Sequence, residues 1–338
     1  MAVAKSVLPY VVEGEGDLIT PPSAASQLLS LSGKVCETDV EFSVLGPLRM
    51  NERGESYTPT APKQRQLLTL LLLNANQVVS TNTCIEELWE NSPPNSALST
   101  LQSYILQLRR SLRRVPRIGS LQAARLILET RDGGYLLAVR GDELDTNRFW
   151  ALVREGRAAL HHDDVRASAC LSEALLLWQG AALSDVQRGP VLRAHLVGLE
   201  EERTSVQEQR IGADLRLGRH QELLGELSRL TAKYPMHESL HAQFMLALHR
   251  TGRRTQALEV LRRLSTVLRE ELGLDPSPRV RRLHQAILAG DPALDLLAHT
   301  DSVLAAEPGA PNGRLVPAGG ELVTAGAPAR RREQLVRR

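Results

Sequence analysis

The sequence predicts an α+β winged helix-turn-helix domain followed by an all-α domain of tetratricopeptide-like helical repeats. Three observations lead to this prediction: an amphipathic segment with a cationic face at 98–114, a hairpin pattern directly after it, and an internal repeat in a helical C-terminal half. Each pattern is common by itself, and their order along the chain makes the prediction specific.

The segment 98–114 has the periodicity of an amphipathic helix. Its apolar residues recur at i, i+3, i+7, i+10 and i+14, which is one face of a helix that turns about 100° per residue. These residues are Leu98, Leu101, Ile105, Leu108 and Leu112. The opposite face carries hydroxyl, amide and guanidinium groups, which reach base edges and phosphates in a DNA major groove. They belong to Ser99, Thr100, Ser103, Gln107, Arg110 and Arg114, with Arg109 and Arg113 on the flanks. Taken alone, the pattern also describes a solvated helix with an Arg-rich end.

Two helices and a small sheet are predicted upstream of this segment. Alternating apolar residues at 40–50 indicate short antiparallel strands. A Leu-rich helix at 62–74 is apolar on most sides, which places it deep in a core. Ser80 is a suitable N-cap for a second helix at 81–89. Because two prolines then interrupt the chain and 98–114 follows at once, these segments form a helix-turn-helix pattern.

A hairpin is predicted directly after the helix-turn-helix. The segments 126–130 and 135–139 are typical of short strands, and the Asp132-Gly133 turn between them is a strong hairpin signal. A hairpin in this position is the wing of a winged helix, with Arg131 at its tip. Arg131 either contacts DNA or is a solvated turn residue.

Lys63 and Arg65 lie in the first turn of the helix at 62–74. A helix N-terminus already favours phosphate, so these two cations are candidate phosphate contacts. Charged residues are also common in the first turn of a helix that binds no phosphate, so Lys63 and Arg65 are alternatively ordinary surface cations.

From residue 145 the chain is predicted to be helical. The predicted helices span 145–161, 163–178, 191–217, 219–233, 237–250, 254–271 and 278–289. The segment that starts at Leu217 repeats at Thr251, an offset of 34 residues that is typical of tetratricopeptide helix pairs. We therefore divide the chain into a disordered extension (1–38), a winged-helix domain (39–140), a helical domain (141–290) and an Ala-, Gly- and Pro-rich disordered tail (291–338).

Composition fits a soluble protein that binds duplex DNA. The 338 residues are 42% hydrophobic with a net charge of +2, and the 3% aromatic content argues against base stacking on single strands. The region 94–140 holds eight Arg and two acidic residues, a local basic excess around the predicted recognition helix. Only four of the 41 basic residues are Lys, so genome composition accounts for part of the Arg excess.

Other function classes are not indicated. The three scattered Cys include no C-x-x-C pair, which predicts reduced thiols. No apolar run approaches the roughly 20 residues of a membrane helix, so we expect a cytoplasmic, nucleoid-associated protein. Phosphate-binding, dinucleotide and hydrolase motifs are absent, which predicts no catalytic residue, cofactor or metal. His237 and His241 have a spacing that could hold zinc, but an amphipathic repeat helix is the favoured explanation of both.

The sequence resembles the Streptomyces antibiotic regulatory protein family of transcriptional activators. The resemblance covers about residues 39 to 290 and rests on FSVLGPLRM (42–50), APKQRQLLTLLLLNANQVVS (61–80), IEELWENSPPNSALSTLQSYILQLRRSL (85–112), GGYLLAV (133–139) and DELDTNRFWALVREGR (142–157). It continues in LWQGAALSD (177–185), ADLRLGRHQELLGEL (213–227), YPMHESLHAQFMLALHRTGRRTQALEVLRRL (234–264) and LREELGLDPSPRVRRLHQAIL (268–288).

The resemblance implies a function and a set of contacts. It implies an OmpR-like winged helix, a bacterial transcriptional activation domain, binding to direct repeats near promoters of antibiotic gene clusters as a dimer, and recruitment of RNA polymerase holoenzyme. Without an ATPase module the chain resembles a short, pathway-specific member. The DNA contacts implied are Lys63, Arg65, Thr100, Ser103, Gln107, Arg109, Arg110, Arg113 and Arg131.

Two positions depart from the family pattern as we expect it. Relatives often carry Arg where this chain has Gln107, and a small or polar residue where it has Leu106. Gln pairs with adenine whereas Arg prefers guanine, so the target sequence is open. Two alternatives to a DNA-binding activator also remain: a helical-repeat scaffold, and a regulator that senses an effector on the concave face of its repeats.

Overall fold

The computed structural model describes residues 40–295. The predicted extension and the predicted tail beyond residue 295 lie outside the described residues. The N-terminal antiparallel sheet has the order β1-β2-β3, and a second antiparallel sheet has the order β4-β6-β5. The elements of the winged-helix region are β1 (Glu41–Ser43), β2 (Arg49–Glu52), β3 (Glu55–Ser56), α1 (Pro62–Leu73), β4 (Val78–Ser80), α2 (Thr81–Trp89), α3 (Ala97–Arg114), α4 (Leu121–Ile127), β5 (Leu128–Arg131) and β6 (Gly134–Leu137).

A purely helical region follows, as predicted. Its elements are α5 (Asp145–Ala159), α6 (Asp164–Leu176), α7 (Pro190–Arg216), α8 (His220–Lys233), α9 (Glu238–Arg250), α10 (Arg254–Leu272) and α11 (Pro278–Ala289), followed by a 3₁₀ helix at Pro292–Asp295. Within residues 40–295 each predicted helix of this region is present with its ends shifted by at most two residues. The winged-helix and helical-repeat fold class is therefore confirmed.

Local chemistry explains where these elements begin and turn. The Ser80 side chain accepts a hydrogen bond from the Thr83 N–H, so it caps α2 as predicted. The wing turn contains Asp132 and Gly133, and Gly133 has φ +74°, a conformation that favours glycine. The two copies of the 34-residue repeat also turn in the same way. Gly218 and Gly252, which occupy equivalent positions, both have positive φ in the turn between two helices.

Two local predictions in the winged-helix region are wrong. The segment 121–127 is a helix capped by Ser120, and the wing strand begins only at Leu128. Leu126 lies on the outer side of that helix and is 70% exposed. Leu98 is also 52% exposed, because the buried stripe of α3 begins at Ala97 instead. A short apolar run fits a helix or a strand equally well, and only packing distinguishes the two.

The predicted tail begins too early. Pro292–Asp295 forms a 3₁₀ helix, and Leu294 is buried in the C-terminal core. The Arg250 guanidinium donates to the Leu294 carbonyl oxygen at 2.7 Å. The folded chain therefore extends at least five residues beyond the predicted boundary at 290.

The apolar core does not divide at residue 140. One cluster of buried side chains runs from Val40 to Val206 and joins the winged helix to α5, α6 and most of α7. A second cluster, from Ile211 to Leu294, fills the repeats. The domain boundary at residue 140 stays a prediction, and the apolar packing joins the winged helix to the first helices of the helical region.

Candidate nucleic-acid interface

Helix α3 packs one face on the winged-helix core and exposes the other. Its buried residues are Ala97, Leu101, Ile105, Leu108 and Leu112. Trp89 of α2 stacks on Tyr104 of α3 with ring centroids 6.3 Å apart, which holds the two helices of the helix-turn-helix together. The wing lies along one side of α3 and the first turn of α1 along the other.

The exposed face of α3 combines hydroxyl groups with unpaired cations. The Ser103 hydroxyl donates to the Ser99 carbonyl oxygen at 2.9 Å, so its own oxygen stays available as an acceptor. Thr100 is half-buried beside Ser96. Arg110 and Arg113 are exposed and make no ion pair with any residue in 40–295. Of the predicted contacts, these two Arg are the ones best placed for phosphate.

Arg109 points toward the wing. Its Nε donates to the Leu128 carbonyl oxygen at 2.9 Å and its Nη2 to the Thr130 hydroxyl at 2.8 Å. Burial lowers the pKa of the Arg109 guanidinium, and the nearby charge of Arg125 lowers it further. Because two of its N–H groups donate hydrogen bonds to β5, Arg109 links α3 to the wing.

Arg131 lies where the hairpin prediction places it, at the exposed end of β5. Its Nη2 is 2.6 Å from the Glu129 carboxylate. Both groups are open to solvent, and an exposed pair of this kind is weak. A phosphate would have to displace Glu129 from Arg131, so the DNA contact of Arg131 stays a prediction.

Lys63 and Arg65 are both bound to other parts of the protein. The Lys63 ammonium donates to the Leu88 carbonyl oxygen and, at 3.2 Å, to Gln66 Oε1. The Arg65 guanidinium pairs with Asp185 and donates to the Pro59 carbonyl oxygen at 3.1 Å. Only 15% of the Arg65 side chain is exposed. Either residue would have to give up these partners to bind a phosphate, so the contacts of both stay predictions.

Three carboxylates that the sequence analysis did not single out join the winged helix to the helical region. Glu87 of α2 is fully buried and accepts hydrogen bonds from the N–H groups of Gly189 at 2.6 Å and Leu192 at 2.9 Å. It therefore caps the N-terminus of α7. Gln66 Nε2 also donates to Glu87, at 2.8 Å. A Cβ on Gly189 would lie 2.1 Å from the Glu87 carbonyl oxygen, so this contact requires glycine.

The other two carboxylates bind the loop that joins β1 to β2. Asp145 Oδ2 accepts from the N–H groups of Val44 at 2.8 Å and Leu45 at 2.9 Å, and Asp185 Oδ1 accepts from the Leu48 N–H at 2.8 Å. These contacts span at least 100 residues of sequence. No periodicity or spacing in the sequence indicates these long-range contacts, which is why sequence analysis missed the three carboxylates.

Asp145 should make stability depend on pH. Burial raises the pKa of its carboxyl to about 6, although the Leu45 and Val44 N–H groups oppose this. Because the folded-state pKa lies above the unfolded value of 3.8, protonated Asp145 stabilises the fold below that value, and the contribution disappears as pH rises through about 6. Relative to Asp145→Asn, the protein should lose roughly 2 to 2.5 kcal/mol of unfolding free energy between pH 4 and 7.5.

Urea unfolding of both proteins across this pH range measures the difference. Asp145→Asn is a matched control because its amide oxygen still accepts from the two N–H groups while it cannot titrate. A difference that stays constant with pH would contradict the raised pKa.

The histidine pair has a structural explanation. His237 Nδ1 accepts from the Leu240 N–H at 3.4 Å and so caps α9, and the His241 ring lies 3.1 Å from the His237 carbonyl oxygen. In residues 40–295, no three His, Cys, Asp or Glu side chains are grouped as a metal site. None of the helices in that range is long and apolar enough to span a bilayer.

Comparison with known proteins identifies the two halves. Residues 54–137 match the family described as "Transcriptional regulatory protein, C terminal", and residues 144–288 match "Bacterial transcriptional activator domain". The Regulatory protein DnrI of Streptomyces peucetius is 46% identical over 257 residues, which cover 76% of this chain and 94% of DnrI. The chain belongs to the Streptomyces antibiotic regulatory protein family. It is thus a transcriptional regulator with a winged-helix DNA-binding region.

Other members of the group differ in length. The Transcriptional regulator RedD of Streptomyces coelicolor is 35% identical over 80% of this chain and 76% of RedD. The Regulatory protein AfsR of the same species is 37% identical over 75% of this chain, but the match spans only 25% of AfsR. The structure of Mycobacterium tuberculosis EmbR in complex with a low-affinity phosphopeptide superposes with a TM-score of 0.72 at 32% identity, over 80% of this chain and 70% of EmbR.

Proposed function

We propose that this family member binds direct repeats near the promoters of an antibiotic biosynthetic gene cluster and recruits RNA polymerase holoenzyme there. It acts in the cytoplasm on the nucleoid and binds DNA as a dimer. The observation that carries the proposal is the exposed face of α3, where Ser103, Gln107, Arg110 and Arg113 lie between the wing and the first turn of α1. Its dimensions and chemistry suit a major groove.

The contacts divide into three roles. Arg110 and Arg113 neutralise phosphates, and Arg131 reaches the backbone from the wing. Ser103, Thr100 and Gln107 face base edges. Arg109 keeps the wing at a constant distance from α3, because its guanidinium is bound to β5. The helical region, joined to the winged helix through Glu87, Asp145 and Asp185, presents the surface for RNA polymerase.

A gel-shift assay with DNA from upstream of the neighbouring genes tests the proposal. Affinity should fall steeply with salt, with a log–log slope of roughly −0.9 for each phosphate neutralised. Arg110→Ala and Arg113→Ala should each weaken binding to all sequences and reduce the slope by about 1. Arg262→Ala is a control for loss of one surface charge, because Arg262 is an exposed cation on α10 of the helical repeats and pairs only at 3.7 Å with Glu259.

The same assay separates the proposal from its alternatives. A flat salt dependence, or no binding at all, would favour the helical-repeat scaffold. A regulator that senses an effector would show a melting temperature that rises with a small molecule. Transcription assays with purified polymerase then test recruitment, and binding without activation would contradict that part of the proposal.

A further inference from the structure

Gln64 and Gln107 meet beside the exposed face of the recognition helix. Gln64 is the third residue of α1, and its Nε2 donates to the Oε1 of Gln107 on α3. Gln107 is exposed and Gln64 is half-buried, so both amides remain open to a ligand. A solvent-exposed bond between neutral amides adds little to folding stability. Its position is therefore better explained by binding than by packing.

The first turn of α1 directs only one of its three consecutive polar side chains toward α3. Lys63 reaches back to α2, and Arg65 reaches across to Asp185. Gln64, between them, is the one bound to the recognition helix. Gln107 itself lies one turn after Ser103 and one turn before Arg110, on the face proposed to enter the groove.

The hydrogen bond leaves a donor and an acceptor side by side. Because Gln107 Oε1 accepts one N–H of Gln64, the two groups of the pair that take no part in this bond are the Gln107 Nε2–H₂ and the Gln64 Oε1. In the major groove adenine offers an N7 acceptor next to an N6–H₂ donor, whereas guanine offers two acceptors. The amide pair therefore complements adenine. With guanine, the Gln64 oxygen would face the O6 atom, and these two acceptors cannot form a hydrogen bond.

We infer that Gln64 is a specificity determinant, and that it reads one adenine of each repeat jointly with Gln107. Gln107 donates to the adenine N7, and the Gln64 oxygen accepts from the adenine N6–H₂. This inference rests on the proposed DNA-binding function and adds to it a residue from outside the recognition helix.

Selection on randomised repeats tests the inference with the full-length protein. The parent should recover adenine at one position of each repeat. Gln64→Ala and Gln107→Ala should each reduce that preference by about tenfold or more, at the same position, and the double variant should be no worse than either single one. Gln107→Arg should move the preference to guanine. Gln122→Ala, at an exposed residue of α4, is the matched control and should keep the parental consensus.

The outcomes are distinguishable. If Gln64→Ala keeps the parental consensus while Gln107→Ala loses it, Gln107 reads the base alone and the inference is overturned. It is equally overturned if both variants lose affinity for every sequence without a change of consensus. If the parent itself selects no sequence and shows no salt-dependent binding, the proposed function fails instead. Melting temperatures of the variants should match the parent, which separates a binding effect from unfolding.

Discussion

A fragment of residues 40–140 is expected to be largely unfolded, whereas a fragment of residues 40–217 is expected to fold cooperatively. The shorter fragment lacks the partners of β1 and of the loop after it. Asp145 and Asp185 bind three N–H groups of the loop between β1 and β2, and the Glu143 carbonyl oxygen accepts from the Phe42 N–H at 2.7 Å. It also exposes the apolar side chains that pack on α5, α6 and α7.

The expected effect is comparable to the stability of a whole domain. Each large apolar side chain that becomes exposed costs roughly 1.5–3 kcal/mol. The shorter fragment lacks Phe149, Leu171, Trp178, Leu192 and Leu199, which belong to the same buried cluster as its own core. Exposure of about five of its own core side chains in their absence costs an amount within the roughly 5–15 kcal/mol that separates a folded domain from its unfolded chain.

Urea unfolding followed by circular dichroism compares the two fragments with the full-length protein. The longer fragment is the control, because it retains the cluster from Val40 to Val206 while it omits most of the second core. A shorter fragment that unfolds cooperatively at the midpoint of the full-length protein would show that the shared core is dispensable.

Glu87→Ala is expected to lower the unfolding free energy by roughly 2–5 kcal/mol. The substitution leaves the N–H groups of Gly189 and Leu192 without their acceptor in a buried position, and it removes one of the two acceptors of the Gln66 amide. It also removes the N-cap of α7, which alone is worth roughly 0.5–2 kcal/mol. The change should weaken the attachment of the helical region to the winged helix as well as the winged helix itself.

Three variants make the Glu87 result specific. Glu86→Ala changes the exposed neighbouring carboxylate on the same helix and should be nearly neutral. Glu87→Gln keeps one acceptor oxygen and should fall between the parent and Glu87→Ala. Gly189→Ala should be destabilising through its clash with the Glu87 carbonyl oxygen. If Glu87→Ala unfolds within 0.5 kcal/mol of the parent, a margin typical of surface changes, the carboxylate is not needed at the junction.

Local chemistry accounts for what the sequence determined by itself. Helix periods, the Ser80 cap, the Asp132-Gly133 turn and the 34-residue repeat depend on neighbours within a few residues or on a regular offset. They were therefore sufficient to predict the winged-helix and repeat fold and the candidate recognition helix, whereas the family was identified from the resemblance over about residues 39 to 290. Arg110 could also be placed on the exposed face of α3 and Arg113 on its flank, because helical geometry alone determines which side of the helix a residue occupies.

Tertiary structure alone decided the partners of the remaining polar groups. Arg65 pairs with Asp185 and Glu87 caps α7 across more than 100 residues, and Arg109 turns to the wing although its helical position also permits a DNA contact. The pairing of Gln64 with Gln107 has the same origin, since two helices meet there. A long, flexible polar side chain has several partners within reach, and its choice depends on which elements packing brings beside it. That choice is a property of the assembled core, and no local pattern in the sequence encodes it.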